Sequence, residues 1–168
     1  MPTPNSRHDD AGTTDWRALA SRLESLAMAL TRNQADADDL VQQTLLKLLG
    51  KAPERADHLG YARATMTRAW LDEQRSVRRR VRRMFDAARL HPTIHQDRAA
   101  LDESELIERV GRAIDTLPPR QRAVFALRLM EGLDYEAIAQ VLDCSIETVR
   151  ASLHLARQRV RRHLGEEQ

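Results

Sequence analysis

The sequence has 168 residues, of which 31% are charged and only 4% are aromatic, and its formal net charge is +2. This length allows one medium domain or two small ones, and the low aromatic content favours small helical cores over a β-sandwich. A single cysteine, Cys144, excludes a disulfide framework and favours a reducing compartment such as the cytoplasm. No apolar run approaches the ~20 residues of a membrane span, and the polar N-terminus has no secretory-signal core.

Charge is distributed unevenly along the chain. Residues 1–50 contain five basic and seven acidic side chains, whereas residues 68–89 contain eight arginines and three acidic side chains. An acidic segment followed by a dense arginine block predicts two partners of opposite charge.

Helix patterns dominate the first part of the chain. Residues 1–13 are polar and contain proline, so we predict a disordered tail. Apolar residues at helical spacing predict helices over residues 15–30 and 33–50. Residues 51–60 (KAPERADHLG) are predicted to form a loop because of their Pro and Gly content. A long helix is then predicted from about Tyr61 to beyond Arg83, with apolar contacts that fade as the arginines accumulate.

The second part of the chain continues the helical pattern after a break. Residues 90–101 are predicted to be a flexible linker. A helix follows over residues 102–117, and Pro119 is suited to the first position of the next helix. Asp134 can cap a short helix, and Ser145 can cap the last one.

The predicted fold is therefore all-α. It consists of two small helical bundles, residues 14–89 and 102–168, joined by the flexible linker, with a helix-turn-helix in the C-terminal bundle. We also expect the two bundles to be in contact in the free chain, because a basic face without its ligand favours an acidic cover.

The segment that follows Asp134 has the properties of a helix-turn-helix, in which two short helices flank a tight turn. Asp143 can adopt the positive φ that such a turn requires. The N-terminal half of the second helix would enter the DNA major groove. Its outward-facing candidates for base contacts are Thr148, Arg150, Ala151, Ser152, His154 and Leu155. Candidate phosphate contacts are Arg120, Arg122, Arg157 and Arg159. The alternative is a plain helical hairpin with a solvated charged face.

Three segments together resemble a known family. The sequence AIDTLPPRQRAVFALRLMEGLDYEAIAQVLDCSIETVRASLHLARQRVRRHL resembles the fourth region of extracytoplasmic-function (ECF) sigma factors. ALTRNQADADDLVQQTLLKLL resembles the second region, and YARATMTRAWLDEQRSVRRRVRR resembles the promoter-melting helix that follows it. The resemblance implies a protein that binds RNA polymerase core and directs it to a class of promoters.

The resemblance also assigns residues to partners. The surface that docks on a coiled coil of the largest polymerase subunit corresponds to Asp38, Asp39, Leu40, Gln42 and Gln43. The surface for the −10 element corresponds to Arg55, His58, Tyr61, Arg68, Arg75, Arg78, Arg79 and Arg80. The surface for the −35 element corresponds to Arg120, Arg122, Tyr135, Ser145, Thr148, Arg150, Ala151, Ser152, His154 and Arg157. Contact with the polymerase flap and with an anti-sigma factor is implied as well.

The sequence departs from the family pattern at several positions. The family commonly has Asn where this chain has Arg68, and Gly where it has Asp143. It often has Arg where this chain has Ser152 and Leu155 on the recognition helix. The last two departures predict a different −35 sequence or a greater reliance on Arg150 and its neighbours.

Two other functions remain open from the sequence. One is a helix-turn-helix regulator that uses only the C-terminal bundle, against which the N-terminal docking pattern argues. The other is a sigma-like decoy that sequesters an anti-sigma factor, against which the arginine block argues. No phosphate-binding loop, catalytic triad or CxxC motif occurs, so we predict no enzyme activity, cofactor or metal. We expect Cys144 to be a small half-buried residue rather than a redox sensor.

Overall fold

The computed structural model describes residues 15–49, 58–85 and 103–165. Across these residues the chain forms seven α-helices and no strand, which confirms the predicted all-α fold. The helices are α1 (Trp16–Thr31), α2 (Gln34–Leu49), α3 (His58–Phe85), α4 (Glu103–Asp115), α5 (Pro119–Leu129), α6 (Tyr135–Leu142) and α7 (Ile146–Leu164). We call α1–α3 the first half and α4–α7 the second half. The predicted tail and linker lie outside the described residues.

Local capping sets the helix boundaries much as the sequence predicts. The Asp15 carboxylate accepts hydrogen bonds from the backbone N–H groups of Arg17 and Ala18 at 3.1 and 3.0 Å, which begins α1. Asn33 caps α2 through a 3.1 Å bond from the N–H of Asp36. Pro119 occupies the first turn of α5, where its missing N–H costs nothing.

The start of α3 differs from the prediction. The loop predicted over residues 51–60 is wrong at its C-terminal end, because α3 begins at His58 rather than at Tyr61. Gly60 has a low helix propensity, which favours a later start of α3. Leu59 packs against the hydrophobic core, and its burial favours the additional helical turn.

The two halves share one hydrophobic core. Leu23 and Leu30 of α1 and Met66 of α3 are fully buried in the same cluster as Leu127 of α5 and Ile138 of α6. A smaller cluster belongs to the second half alone and consists of Ala113, Leu117, Ala156 and Val160. The expectation that the bundles are in contact is therefore confirmed, and the contact is apolar at its centre.

Four arginines surround the shared core and join the two halves; we call them the arginine clasp. They are Arg32, Arg63, Arg68 and Arg122. Arg68 and Arg122 donate to backbone carbonyl groups, whereas Arg32, Arg63 and Arg122 lie beside carboxylates, so two acidic side chains and several carbonyl groups take the place of the extended acidic cover that we expected. Glu131 and Asp115 are the acidic side chains that pair with clasp arginines within the described parts of the chain.

Helix α3 extends beyond the shared core. Trp70 is only 3% exposed, whereas Val77 and Val81 are 43% and 39% exposed. The apolar stripe of α3 therefore continues onto a segment that the described residues leave partly exposed. None of the described helices is both long enough and apolar enough to cross a membrane.

Because the two halves share one core, we predict that a cavity made in the second half also destabilises the first half. Leu127→Ala is expected to lower the free energy of unfolding by about 2–5 kcal/mol, because Leu127 is fully buried. Both tryptophans, Trp16 and Trp70, lie in the first half. The midpoints of thermal unfolding by tryptophan fluorescence and by circular dichroism should therefore fall together.

The matched control is Leu129→Ala, which makes the same change on the same helix at a side chain that is 52% exposed. It should leave both midpoints near the wild-type value. A Leu127→Ala variant whose fluorescence midpoint stays unchanged while its circular dichroism midpoint falls would indicate two independent cores.

Candidate nucleic-acid interface

The turn between α6 and α7 has the geometry of a helix-turn-helix. Asp143 ends α6 in the left-handed conformation with φ 50°, as the sequence predicts. The N–H of Cys144 donates a 3.0 Å bond to the carbonyl of Ala139, which closes the turn. The Ser145 hydroxyl then accepts a 3.2 Å bond from the N–H of Thr148 and begins α7. Cys144 is half-buried, as expected.

The candidate base-reading side chains lie on one side of the N-terminal half of α7. Those that are exposed are Arg150, Ala151, His154, Leu155 and Arg157, while Thr148 and Ser152 are half-buried. Val149 and Leu153 face the core on the opposite side of the helix. This division leaves a basic face available for a major groove.

Tyr135 lies between two arginines at the start of α6. The guanidinium carbon of Arg150 lies 5.6 Å from the centre of the Tyr135 ring, and that of Arg128 lies 5.4 Å from it. Arg128 is also held by a 2.8 Å bond from Nη1 to the carbonyl of Leu133. The ring therefore connects Arg128, which is anchored, to Arg150, which is a candidate base-reading residue.

Glu147 adds a negative charge to the first turn of α7. Its own backbone N–H lowers the pKa of this exposed carboxyl, and the Ser145 hydroxyl and Arg150 lower it further, against a smaller opposing effect of desolvation. Because the pKa of Glu147 is lower in the folded chain than in the unfolded one, its carboxylate stabilises the folded chain at pH values above the ordinary glutamate pKa. This stabilisation is lost as the pH falls through the lowered pKa of the folded chain. Glu147 is thus ionised beside the candidate DNA face at neutral pH.

The two candidate phosphate contacts on α5 differ in their surroundings. Arg120 is exposed. Arg122 donates from Nη1 to the carbonyl of Leu30 at 3.1 Å and from Nη2 to the carbonyl of Asp115 at 2.7 Å. Its guanidinium carbon lies 6.0 Å from the centre of the Trp70 ring. Burial lowers the pKa of Arg122, whereas the Asp115 carboxylate raises it and Arg32 lowers it.

The candidate −10 residues are distributed along α3. His58 and Tyr61 are half-buried in its first turns, and Arg55 lies outside the described residues. The exposed C-terminal part carries Arg75, Arg78, Arg79 and Arg80. Arg75 forms an exposed 3.0 Å ion pair with Asp72 one turn earlier, which the sequence spacing allows.

Arg68 also lies on α3, but its contacts differ from those of the exposed arginines near the C-terminal end of that helix. Its Nε donates to the carbonyl of Val141 and its Nη2 donates to the carbonyl of Gln140, both at 2.8 Å. These carbonyls belong to the last turn of α6, where backbone acceptors have no partner within the helix. The side chain that was predicted to bind DNA therefore caps α6 of the helix-turn-helix in this structure.

Three of the candidate polymerase-docking residues, Asp39, Leu40 and Gln43, border a cleft of about 400 Å³ among the helices of the first half, which Arg122 of α5 also lines. Its acidic side chains are Asp36, Asp39 and Glu73. Gln43, Gln74, Trp70, Val77, Leu30, Thr31, Leu40 and Arg122 complete its lining. Leu40 departs from the predicted exposed surface, because it is only 5% exposed and packs in the shared core.

The two remaining docking candidates are exposed on α2. Asp38 accepts a 2.8 Å hydrogen bond from Nε2 of Gln34. Gln42 is exposed as well. Asp38, Asp39, Gln42 and Gln43 therefore present carboxylates and amides that can pair with a basic partner.

Sequence reasoning missed two contacts that join the halves. The Arg63 guanidinium pairs with the Glu131 carboxylate, and these side chains are only 18% and 6% exposed. The Arg32 guanidinium lies directly over Gly111, since a Cβ at Gly111 would lie 1.9 Å from Nη2. Both pairs join residues far apart in sequence, and no local pattern distinguishes these arginines from their exposed neighbours.

The α6–α7 turn, the exposed basic face of α7 and the exposed arginines of α3 define an all-α protein of the helix-turn-helix class. Among the described residues, no cluster of three His, Cys, Asp or Glu side chains is suited to a metal ion.

Comparisons with known proteins narrow this class. Residues 16–80 match the family described as Sigma-70 region 2, and residues 107–160 match Sigma-70, region 4. The ECF RNA polymerase sigma factor SigE of Mycolicibacterium smegmatis is 32% identical over 168 residues, with 94% of this chain and 64% of that protein covered. The probable ECF RNA polymerase sigma factor SigI of Mycobacterium tuberculosis is 30% identical over 164 residues, with coverages of 92% and 56%. The chain therefore spans somewhat more than half the length of these relatives.

A solved structure shares the fold. It is the sigma factor RpoE in complex with the anti-sigma factor NepR from Bartonella quintana, with a TM-score of 0.67 and 22% identity over 90% of this chain and 95% of that one. With both regions present in order, the chain belongs to the ECF group of the sigma-70 family.

The stack of Arg128, Tyr135 and Arg150 predicts that the ring orients Arg150. Tyr135→Leu removes the aromatic face, and the affinity for a mixed-sequence DNA duplex should fall about two- to fivefold, as expected from a cation–π energy of about 0.5–1 kcal/mol. The Nε–H resonance of Arg150 should also lose the shift that the ring current produces.

Tyr135→Phe is the matched control, because it keeps the ring and removes only the hydroxyl. It should retain both the affinity and the ring-current shift. An equal loss of affinity in the two variants would instead indicate that the hydroxyl contacts DNA directly.

Proposed function

We propose that this chain is an alternative sigma factor of the ECF type, which binds RNA polymerase core and directs promoter-specific initiation of transcription. The observation that carries the proposal is the coexistence, in family order, of an arginine-rich helix on a docking bundle and a helix-turn-helix with an exposed basic face. The protein acts in the cytoplasm by binding its partners, and it catalyses no reaction of its own.

The two halves have separate tasks in this proposal. Residues 14–89 form region 2, which binds core polymerase and the −10 element, and residues 102–168 form region 4, which binds the −35 element and the polymerase flap. Residues 1–13 are a tail and residues 90–101 a linker. The exposed acidic and amide side chains of α2 support docking on a basic coiled coil, because complementary charge fixes orientation and register.

The C-terminal part of α3 is suited to a separated DNA strand. Holding such a strand requires cations along the backbone and a surface for unstacked bases. The exposed arginines between Arg75 and Arg80 supply the cations. The half-buried ring of Tyr61 is the candidate stacking surface in the first turns of the same helix.

The recognition helix depends mainly on Arg150 for base contacts. Ser152 is half-buried, and Leu155 is 44% exposed but apolar, so neither replaces the arginines common in the family. An arginine fork pairs best with the O6 and N7 atoms of guanine. We therefore propose that the −35 sequence contains a guanine opposite Arg150, with His154 and Arg157 contributing beside it.

An anti-sigma factor is proposed as a further partner. The structural relative from Bartonella quintana was solved in complex with one. The decoy alternative requires that the chain bind such a factor without acting on DNA. The exposed arginines of α3 have no role in that alternative, and so they favour the initiation factor.

Genome-wide run-off transcription with purified bacterial core polymerase tests the proposal. Addition of the chain should produce specific transcripts, and alignment of their start sites should give two conserved elements at fixed spacing. Core polymerase alone is the control. The absence of specific transcripts in the presence of a folded chain would favour the regulator or the decoy.

Polymerase docking and DNA binding should separate genetically. Asp39→Arg combined with Gln43→Ala should weaken binding to core polymerase at least about tenfold, because like charges opposed across an interface cost several kcal/mol. The affinity of this double variant for a mixed-sequence DNA duplex should match that of a control variant that carries the same change in charge. Both affinities can be measured by fluorescence anisotropy.

The control for this experiment is Glu24→Arg with Gln43 unchanged, which reverses an exposed carboxylate on α1 outside the proposed docking surface. It should bind core polymerase like the wild type. Equal weakening in both variants would contradict the assignment of Asp39 and Gln43 to docking.

A further inference from the structure

We propose that Glu147 is a specificity-determining residue of the recognition helix, whose carboxylate selects a cytosine next to the guanine opposite Arg150. The inference deepens the proposed function and rests on its assignment of α7 to DNA. Neither the helical pattern nor the family resemblance gives Glu147 a role. Phosphate binding does not explain its negative charge on a DNA-binding face either, because a carboxylate repels phosphates.

Glu147 lies on the exposed face of α7 that would enter the major groove. Successive residues of an α-helix are about 100° apart, so positions i, i+4 and i+7 share one face. Glu147, Ala151 and His154 follow this spacing, and all three are exposed. The buried side chains Val149 and Leu153 face the core. Glu147 is therefore the first residue of the row that would meet the base edges.

The start of α7 keeps the Glu147 carboxylate ionised and in place. Its own backbone N–H is the main cause of its lowered pKa, and the Ser145 hydroxyl contributes as well. The Ser145 side chain is itself fixed, because its Oγ accepts a 3.2 Å bond from the N–H of Thr148 and lies 3.0 Å from the Thr148 Oγ1. An ionised carboxylate only accepts hydrogen bonds. Glu147 can therefore bind a base that offers a donor and is repelled by a base that offers acceptors.

The major groove offers few suitable donors. Cytosine presents the N4 amino group, whereas guanine and thymine present acceptors, and adenine presents the N6 amino group beside the N7 acceptor. A carboxylate is therefore attracted most strongly to the cytosine edge. Its charge also penalises the acceptors of the competing bases, and a contact that repels the wrong partner increases specificity at some cost in affinity.

Arg150 supplies the complementary preference for guanine. It packs on the Tyr135 ring, and among the described residues no ion pair joins it to Glu147. The two side chains can therefore contact different bases. Three residues of α-helix rise about 4.5 Å. Base pairs are stacked about 3.4 Å apart, so the two contacts are expected on adjacent base pairs.

A purely structural role is the alternative for Glu147. An acidic side chain in the first turn of a helix stabilises it through the positive end of the helix dipole. The nearby positive charge of Arg150 would also allow Glu147 to orient that side chain. Neither of these roles depends on which base lies opposite Glu147, so a measurement of base preference distinguishes them from direct reading.

Selection of bound duplexes from a random-sequence pool by the full chain, followed by sequencing, tests the proposal. The wild type should enrich a guanine with a cytosine at an adjacent base pair. The cytosine should be preferred about fivefold, the lower end for a base contact. Glu147→Ala should lose this preference and keep the guanine. Glu147→Gln should prefer adenine at the same position, because the glutamine amide pairs with N6 and N7 of adenine.

The two variants control for general electrostatic effects, because both remove the same charge and differ only in the amide. Glu136→Gln is a further matched control, since it makes the same change at an exposed carboxylate in the first turn of α6. It should enrich the wild-type sequence. Circular dichroism of each variant checks that the helical fold is retained.

The outcomes separate this inference from the proposed function. A cytosine preference that persists in Glu147→Ala would overturn direct reading by Glu147. A loss of the guanine preference together with the cytosine preference would assign Glu147 to the orientation of Arg150 and contradict the proposal equally. Enrichment of no sequence by the wild type would also overturn it. Absence of specific transcripts with core polymerase, with the base preferences as expected, would instead contradict the proposed function and leave the reading of cytosine standing.

Discussion

The pairing of arginine side chains with the carbonyl ends of helices determines how this protein is assembled. Every helix ends with carbonyl groups that its own backbone does not satisfy. Arg68 and Arg122 satisfy such groups across the boundary between the two halves. Within the second half, Arg109 of α4 does so for the carbonyl of Leu164 at the end of α7. A hydrogen bond to a charged donor contributes about 1.5–3 kcal/mol, so these contacts stabilise the packing that the shared core begins.

This arrangement explains why a chain rich in arginine can be compact. Repulsion among many cations would favour an extended chain if each of them faced solvent. Here the guanidinium groups nearest the centre lie against carbonyl dipoles, the Trp70 ring or a carboxylate, while Arg78 and Arg80 remain on an exposed helix. Arginines near the core therefore have a structural role, whereas arginines far from the core are exposed to ligands.

Local features of the fold could be predicted from sequence, whereas contacts between the halves could not. The caps Asp15, Asp134 and Ser145 and the turn at Asp143 depend on nearby residues and occur where the pattern indicates them. The apolar stripes correctly indicate which faces are buried, but a stripe does not specify its partner, so the single core was not foreseen. Arg68 illustrates the limit, because an arginine suited to a phosphate is equally suited to a helix end.

Gly111 of α4 influences how the two halves pack against each other. It is the absence of a side chain there that makes room for the Arg32 guanidinium on the surface of α4. A single methyl group would displace this flexible side chain while improving the intrinsic helix propensity by about 1 kcal/mol. A one-codon change at Gly111 would therefore alter the packing between the two halves while leaving every residue proposed to face promoter or polymerase as it is.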